Sequence, residues 1–156
     1  ILIKLLTERD KEFTDKMYKD IKLAGRSVHE VMTIASVVER EVRGAKDKAI
    51  VADIFWKRVD NGWGLQADST VHFLTGGTGS VFTSAADRNI DSPWNTYKYA
   101  GLPPGPISNP SIESIMAAIY PEKNGYWYFL TTLDTGEVKY GSTLDQHNAN
   151  VAKYLR

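Results

Sequence analysis

A glutamate set among apolar residues is the most chemically suggestive feature of this chain. It lies in Met32-Thr33-Ile34-Ala35-Ser36-Val37-Val38-Glu39-Arg40-Glu41-Val42. Stepping round a helix at about 100° per residue puts Val31, Met32, Ala35, Val38 and Val42 on one face, with Glu39 in its middle. Ile34 and Val37 point the other way, so the helix is apolar nearly all round and is expected to be buried. A carboxylate in such a stripe is costly unless it is paired or functional. Desolvation disfavours its charged form and raises its pKa, which suits a general acid working near neutral pH. The competing reading is structural: Glu39 pairs with Arg43 one turn on, or with an arginine elsewhere. Glu41 falls almost opposite Glu39 on the helical wheel and reads as a partly solvated or ion-paired side chain.

Two further stretches carry groups suited to a ligand. Gln66 and Asp68, after Trp63-Gly64-Leu65, are candidates to hold polar groups of a ligand. Asp68 is equally suited to cap a helix starting at Ser69-Thr70-Val71. Asn95, Thr96, Tyr97 and Tyr99 combine amide, hydroxyl and aromatic groups in one loop. Saccharide sites want that mixture, because aromatic faces stack on a pyranose while amides hold its hydroxyls. The structural alternative is that the tyrosines cover the core. His29, His72 and His147 share no ligand spacing, and there is no cysteine, so neither a metal site nor a thiol nucleophile is indicated. No cofactor is expected. His147 reads as structural, with a place in a cleft wall as its alternative.

These residues need elements to position them. Residues 8–24 are polar, with Phe13, Met17, Ile21 and Ala24 at helical spacing and Gly25 as a stop, which predicts a surface helix leading into the domain. Ser27-Val28-His29-Glu30 fits a capping box, opening a helix that runs to about Arg43. A third helix is predicted over 46–60, and a fourth over about 110–119 with Asn109-Pro110 as its start. Tyr126–Leu130 and Glu137–Tyr140 read as two strands about a turn at Asp134-Thr135-Gly136. Ser142 to Asp145 resembles a second capping box, for a closing helix to about Leu155. Between Asn61 and Pro110 the glycines and prolines predict a long loop region. There Leu102-Pro103-Pro104-Gly105-Pro106 is stiff enough to form a cleft wall. Thr75-Gly76-Gly77-Thr78-Gly79-Ser80 lacks the Gly-Lys-Ser/Thr ending of a phosphate loop and reads as a flap or linker. The expected fold class is α+β: a helix-rich single domain with a buried helix carrying the acid, a small antiparallel hairpin and long loops lining a cleft. Residues 1–26 read as a lead-in and 27–156 as the domain proper.

Composition narrows the function classes. The chain has 156 residues, enough for one domain with a real core, and its 19 basic and 19 acidic residues balance and interleave. An electrostatic case for nucleic acid or an anionic membrane surface is therefore missing. No apolar run approaches the roughly 20 residues of a spanning helix. The first residue is Ile1, so the sequence reads as a piece of a longer protein.

Several blocks together resemble a known family. Ile34-Ala35-Ser36-Val37-Val38-Glu39-Arg40-Glu41 is similar to the helix bearing the catalytic glutamate of the YceG-like (MltG) endolytic murein transglycosylases. Leu65-Gln66-Ala67-Asp68-Ser69-Thr70-Val71, Asp91-Ser92-Pro93-Trp94-Asn95-Thr96-Tyr97 and Gly101-Leu102-Pro103-Pro104-Gly105-Pro106-Ile107-Ser108-Asn109-Pro110 follow in the family's order. Leu144-Asp145-Gln146-His147-Asn148 is similar too. The resemblance implies cleavage of the β-1,4 bond between N-acetylmuramic acid and N-acetylglucosamine within peptidoglycan, leaving 1,6-anhydro ends. It assigns the acid to Glu39 and substrate contact to Gln66, Asp68, Asn95, Thr96, Tyr97 and Tyr99. It also implies action at the outer face of a bacterial cytoplasmic membrane, a preceding anchor, and work beside the wall-synthesis machinery. Two rivals stand beside it: a non-catalytic glycan-binding module, and a water-using muramidase with Asp68 as its second carboxylate.

Overall fold

The computed structural model describes residues 13–76 and 83–155. Helix α1 (Asp15–Leu23) starts at Thr14, whose hydroxyl accepts from the Met17 amide while the Met17 sulfur accepts from the Thr14 amide. It is a surface helix, as expected, and its one apolar stripe, with Phe13, Met17 and Ile21, is buried in the main core. Helix α2 (Val28–Glu41) opens with the expected capping box, Ser27 Oγ accepting from Glu30 N at 3.1 Å and Glu30 accepting from Ser27 N at 2.7 Å. It ends at Glu41, two residues short of the expected Arg43.

Helix α3 (Ala45–Asp60) and a later helix, Ile112–Ile119, pack against α2 to make the centre of the molecule. Ile34, Val37, Val38, Val51 and Phe55 are fully enclosed there. Trp56 is fastened into this packing by its indole N–H, which donates to Ala118 O at 2.9 Å. Every face of α2 from Val31 to Val38 is buried apart from Met32, Thr33 and Ser36 included, so burial follows no single stripe.

The glycine- and proline-rich middle is more ordered than a loop. Helix α4 (Asp68–Thr75) and the single turn α5 (Ala85–Arg88) lie in it. Residues 77–80 of the glycine-threonine stretch fall outside the described residues. The segment 63–67 is laced to 95–101. Gln66 N donates to Thr96 O at 3.1 Å, Ala67 N to Thr96 Oγ1 at 3.2 Å, and Gly64 pairs with Gly101 in a parallel bridge. The approach is so close that a Cβ on Gly64 would meet Thr96 O at 2.3 Å, which is why glycine stands there.

The Ile112–Ile119 helix, α6, is capped by Ser111 rather than Asn109, because Ser111 Oγ reaches the Ser114 amide. Strands β1 (Tyr128–Thr131) and β2 (Val138–Gly141) form an antiparallel hairpin running from Tyr128↔Gly141 to Thr131↔Val138. Helix α7 (Leu144–Tyr154) closes the chain against the hairpin, with Thr143 as its cap in place of Ser142. Helices packed on one another plus a separate two-stranded hairpin make the fold α+β, as expected.

Candidate active site

The end of α2, the start of α4, β1 and α7 surround a cleft of about 820 Å³, a size suited to a small ligand or a few units of a polymer. Glu41, the last residue of α2, stands in its wall. Its Oε1 accepts from Ser69 N at 3.1 Å, at the start of α4. The side chain keeps some solvent contact through the cleft but is densely surrounded by protein. Burial therefore raises its pKa above the usual carboxylate value, and the Ser69 amide and hydroxyl only partly oppose this.

Asp68 opens α4 but does not cap it; Ala67 is the cap residue and offers no side-chain bond. Asp68 Oδ1 instead collects Thr83 Oγ1 at 2.6 Å, Tyr97 OH at 2.8 Å and Arg88 Nη2 at 3.5 Å. Burial first, and the Asp68 charge second, push the Tyr97 phenol up, so it stays protonated and donating. The Arg88 guanidinium lies over the Tyr97 ring at 4.7 Å. Gln66 lines the same cleft with φ at 51°, the one non-glycine residue of positive φ among those described. A side chain held in that region is strained, and strain of this kind concentrates at functional sites.

The opposite wall comes from the hairpin and α7. Arg58 donates to Leu65 O and to Trp127 O, the latter from Nε at 3.1 Å and Nη2 at 2.6 Å, tying the α4 side to the hairpin. Tyr128 stacks on His147 with ring centres 5.4 Å apart. Burial, with the nearby Arg58 charge, lowers the His147 pKa and favours the neutral ring.

The cleft thus gathers Gln66, Asp68 and Tyr97 of the expected residues, and leaves out Glu39, Asn95, Thr96 and Tyr99. Glu39 faces α3 and α6. Its Oε2 accepts from Ser111 N at 3.1 Å, Ser111 Oγ at 2.6 Å, Ser114 Oγ at 2.5 Å and Lys48 Nζ at 3.2 Å. Desolvation alone would push this carboxyl up, but those bonds together outweigh it and lower the pKa to about 2. Glu39 is thus an ionised clamp on the start of α6. Its setting is the structural ion pair weighed against catalysis, with Lys48 in place of Arg43. Asn95 is fully buried and knots its own loop: Nδ2 donates to Arg88 O and Ile90 O at 2.9 Å each, and Oδ1 accepts from Tyr97 N. Thr96 is spent on Ala67 N and Thr70 Oγ1, and Tyr99 OH donates to Asp91 at 2.6 Å outside the cleft.

A family model described as YceG-like matches residues 1–153. The chain belongs to the YceG-like family. An endolytic murein transglycosylase of Bacillus subtilis (strain 168) is 36% identical over 154 residues, which cover 99% of this YceG-like chain and 42% of the relative. One from Streptococcus pneumoniae serotype 2 is 33% identical over 159 residues, covering 99% of the chain and 29% of the relative. A 2.6 Å crystal structure of a YceG-like protein from Listeria monocytogenes aligns with a TM-score of 0.80 at 40% identity, over 86% of this chain and 43% of that one. The chain spans less than half the length of these relatives.

Glu41, Arg40, Arg58, Ser69, His72, Arg88, Tyr128 and His147 also line the cleft, and sequence reasoning did not choose them. The sequence carries one signal for Glu41. It sits in the same family-like block as Glu39, two residues on, where a wheel centred on the other face made it look solvated.

Proposed function

We propose that this chain is the catalytic part of a peptidoglycan lytic transglycosylase, with Glu41 rather than Glu39 as its acid and base. The observation that carries the assignment is the contrast between the two carboxyls. Glu41 lies in the cleft with its pKa raised, whereas Glu39 is held ionised by four hydrogen bonds on the far side of α2. A carboxyl whose pKa is raised within a cleft is suited to deliver a proton; one held ionised on the other side of the helix is not.

In this reading Glu41 gives its proton to the oxygen leaving C1 of N-acetylmuramic acid as the β-1,4 bond to N-acetylglucosamine breaks. The same carboxylate then takes the proton of that sugar's C6 hydroxyl as its oxygen bonds to C1. The result is a 1,6-anhydro ring, and no water is consumed. Because nucleophile and electrophile belong to one sugar, the second step is intramolecular and gains a large entropic advantage. One carboxylate can thus do what most glycosidases divide between two. Asp68 is the other cleft carboxylate, and its contacts with Tyr97, Thr83 and Arg88 suit holding groups in place more than activating water. A peptidoglycan substrate implies an extracytoplasmic site of action. An anchor preceding this chain and recruitment by wall-synthesis machinery belong to the same reading.

The test is a digest of purified peptidoglycan by the native protein, Glu41→Gln and Glu39→Gln, with products weighed by mass spectrometry. Anhydro-ended fragments from the native protein and Glu39→Gln, and none from Glu41→Gln, are expected. Reducing-end products would replace the mechanism with hydrolysis and bring Asp68 forward as second carboxylate. Glycan binding without any product would leave a binding module.

A further inference from the structure

Tryptophan is among the side chains that folding has most reason to cover, yet Trp63 is 44% exposed. It is nevertheless firmly held. Its amide donates to Arg58 O at 2.8 Å, and its carbonyl accepts from Gly101 N at 3.0 Å. Its indole packs against that of half-buried Trp127, with ring centres 5.0 Å apart and planes 43° to one another. The Lys57 ammonium lies over the Trp127 ring, 5.6 Å from its centre. Lys57 is itself fixed by Asn124 O at 2.7 Å, Asn124 Oδ1 at 3.1 Å and Tyr126 O at 2.6 Å. An aromatic face held in one orientation loses little conformational freedom when a ligand stacks on it.

The pair also adjoins the cleft. Tyr128, the residue after Trp127, lines it, and so does Gln66, three residues past Trp63. Arg58, another lining residue, joins the two segments through Leu65 O and Trp127 O. Three residues of chain span at most about 10 Å, so Trp63 stands within that reach of the cleft wall without lining it.

We propose that Trp63, supported by Trp127, is a stacking platform for a sugar of the glycan strand where that strand runs on past the cleft. This rests on the transglycosylase reading. The C–H face of a pyranose is apolar and packs on aromatic faces without needing a charge opposite it. The nearby Lys57 already has Asp53 at 3.3 Å, so no anion is called for. Tryptophan buries at most about 250 Å², so the open part of Trp63 is roughly 100 Å², the scale of one sugar ring. A stable protein interface takes about 800 Å² from each partner.

The experiment measures kcat and KM for cleavage of isolated glycan strands fractionated by length. It uses the native protein, Trp63→Ala, Trp63→Tyr and Trp127→Ala, each checked by thermal melting. The native KM is expected to fall as strands grow long enough to reach the platform. In Trp63→Ala, KM for the long strands should rise about 2- to 10-fold, the worth of one aromatic stack, with the loss absent from kcat and from the shortest strands cleaved. Trp63→Tyr, which keeps a ring, should retain more of the length preference than Trp63→Ala, and Trp127→Ala should lose part of it. A folded Trp63→Ala protein with the native dependence of KM on length would overturn the platform and leave Trp63 as a cover for the hairpin seam or a contact for a protein, with the transglycosylase reading intact. A loss in kcat that is equal at every length would overturn it too, because it marks a distorted site. A native protein that cleaves no strand would overturn the transglycosylase reading and the platform together.

Discussion

Replacing Glu39 with glutamine separates the two glutamates most sharply, because the proposed reading assigns the change to stability and not to turnover. Glu39 Oε2 closes the α6 N-terminus through both groups of Ser111 and the Ser114 hydroxyl, and neutralises Lys48, itself 4% exposed. Lowering the carboxyl from 4.5 to about 2 corresponds to about 3 kcal/mol if carried over in full. The carboxylate is open to solvent on one side, and screening trims this to about 1–2 kcal/mol. Lys48 also keeps Ser111 Oγ at 3.2 Å and Glu113 at 3.7 Å, so the amide variant does not strand it entirely. In a chain of this size about 1–2 kcal/mol lowers Tm by roughly 3–8 °C. The sign with pH follows from the depressed folded pKa. The contribution is complete above the unfolded value of 4.5 and is lost as pH falls towards about 2. Calorimetry of both proteins at several pH values should therefore show a Tm gap near neutrality that closes as the solution is acidified. Cleavage, corrected for folded fraction, should persist. A Glu39→Gln protein that melts like the native one at every pH and yet cleaves nothing would refute the reasoning and return the acid to Glu39.

Other outcomes follow from the same geometry. Glu41→Gln should abolish anhydro products while leaving stability at neutral pH equal or higher, since a raised folded pKa means the ionised carboxyl weakens the fold as pH rises through it; calorimetry and product analysis check both. For the same reason the pH–rate profile should hold its protonated-acid limb above the ordinary glutamate value and fall on the alkaline side. Gln66→Gly should relieve the positive-φ strain by about 1 kcal/mol, so Tm is kept or rises while turnover falls. Asn95→Ala removes three internal hydrogen bonds and should cost about 2–3 kcal/mol, read as a lower melting temperature with the loss of activity following it.

The helices were legible because their start signals are local. Ser27 and Glu30 do what a capping box does, and the hairpin turn lies where Gly136, at φ 70°, allows it. Ser111 displaced Asn109 as a cap because its hydroxyl serves both the Ser114 amide and Glu39, a non-local bonus that no spacing displays. The proposed move of the acid from Glu39 to Glu41 has the same origin. A wheel separates apolar from polar faces, but α2 is buried on nearly all sides, so it could not say which side meets α3 and α6 and which meets a cavity. That choice is made by residues 28 and 72 positions away, Ser69 for Glu41 and Ser111 for Glu39. Asn95 and Thr96 had the chemistry of sugar ligands, yet a turn that brings Tyr97 to Asp68 needed their polar groups first.

The closing helix α7 has no buried residue, and its main contacts are with the two strands of the hairpin, yet it supplies Leu144, His147 and Val151 to the cleft, with Leu155 just past its end. Stability in a protein is unevenly spread, and segments with few enclosed contacts open first. One jaw of this molecule is therefore braced by the central helices, while α7 rests on the hairpin, which is itself held to the body by Val138 and Phe129 in the core and by the Arg58 and Tyr140 bonds to Trp127 and Asp47. Amide exchange should run fastest along that second jaw. On the proposed transglycosylase reading, a cleft with one loosely enclosed side admits a glycan strand by its middle, sideways, where a closed tunnel would have to be threaded from a free tip.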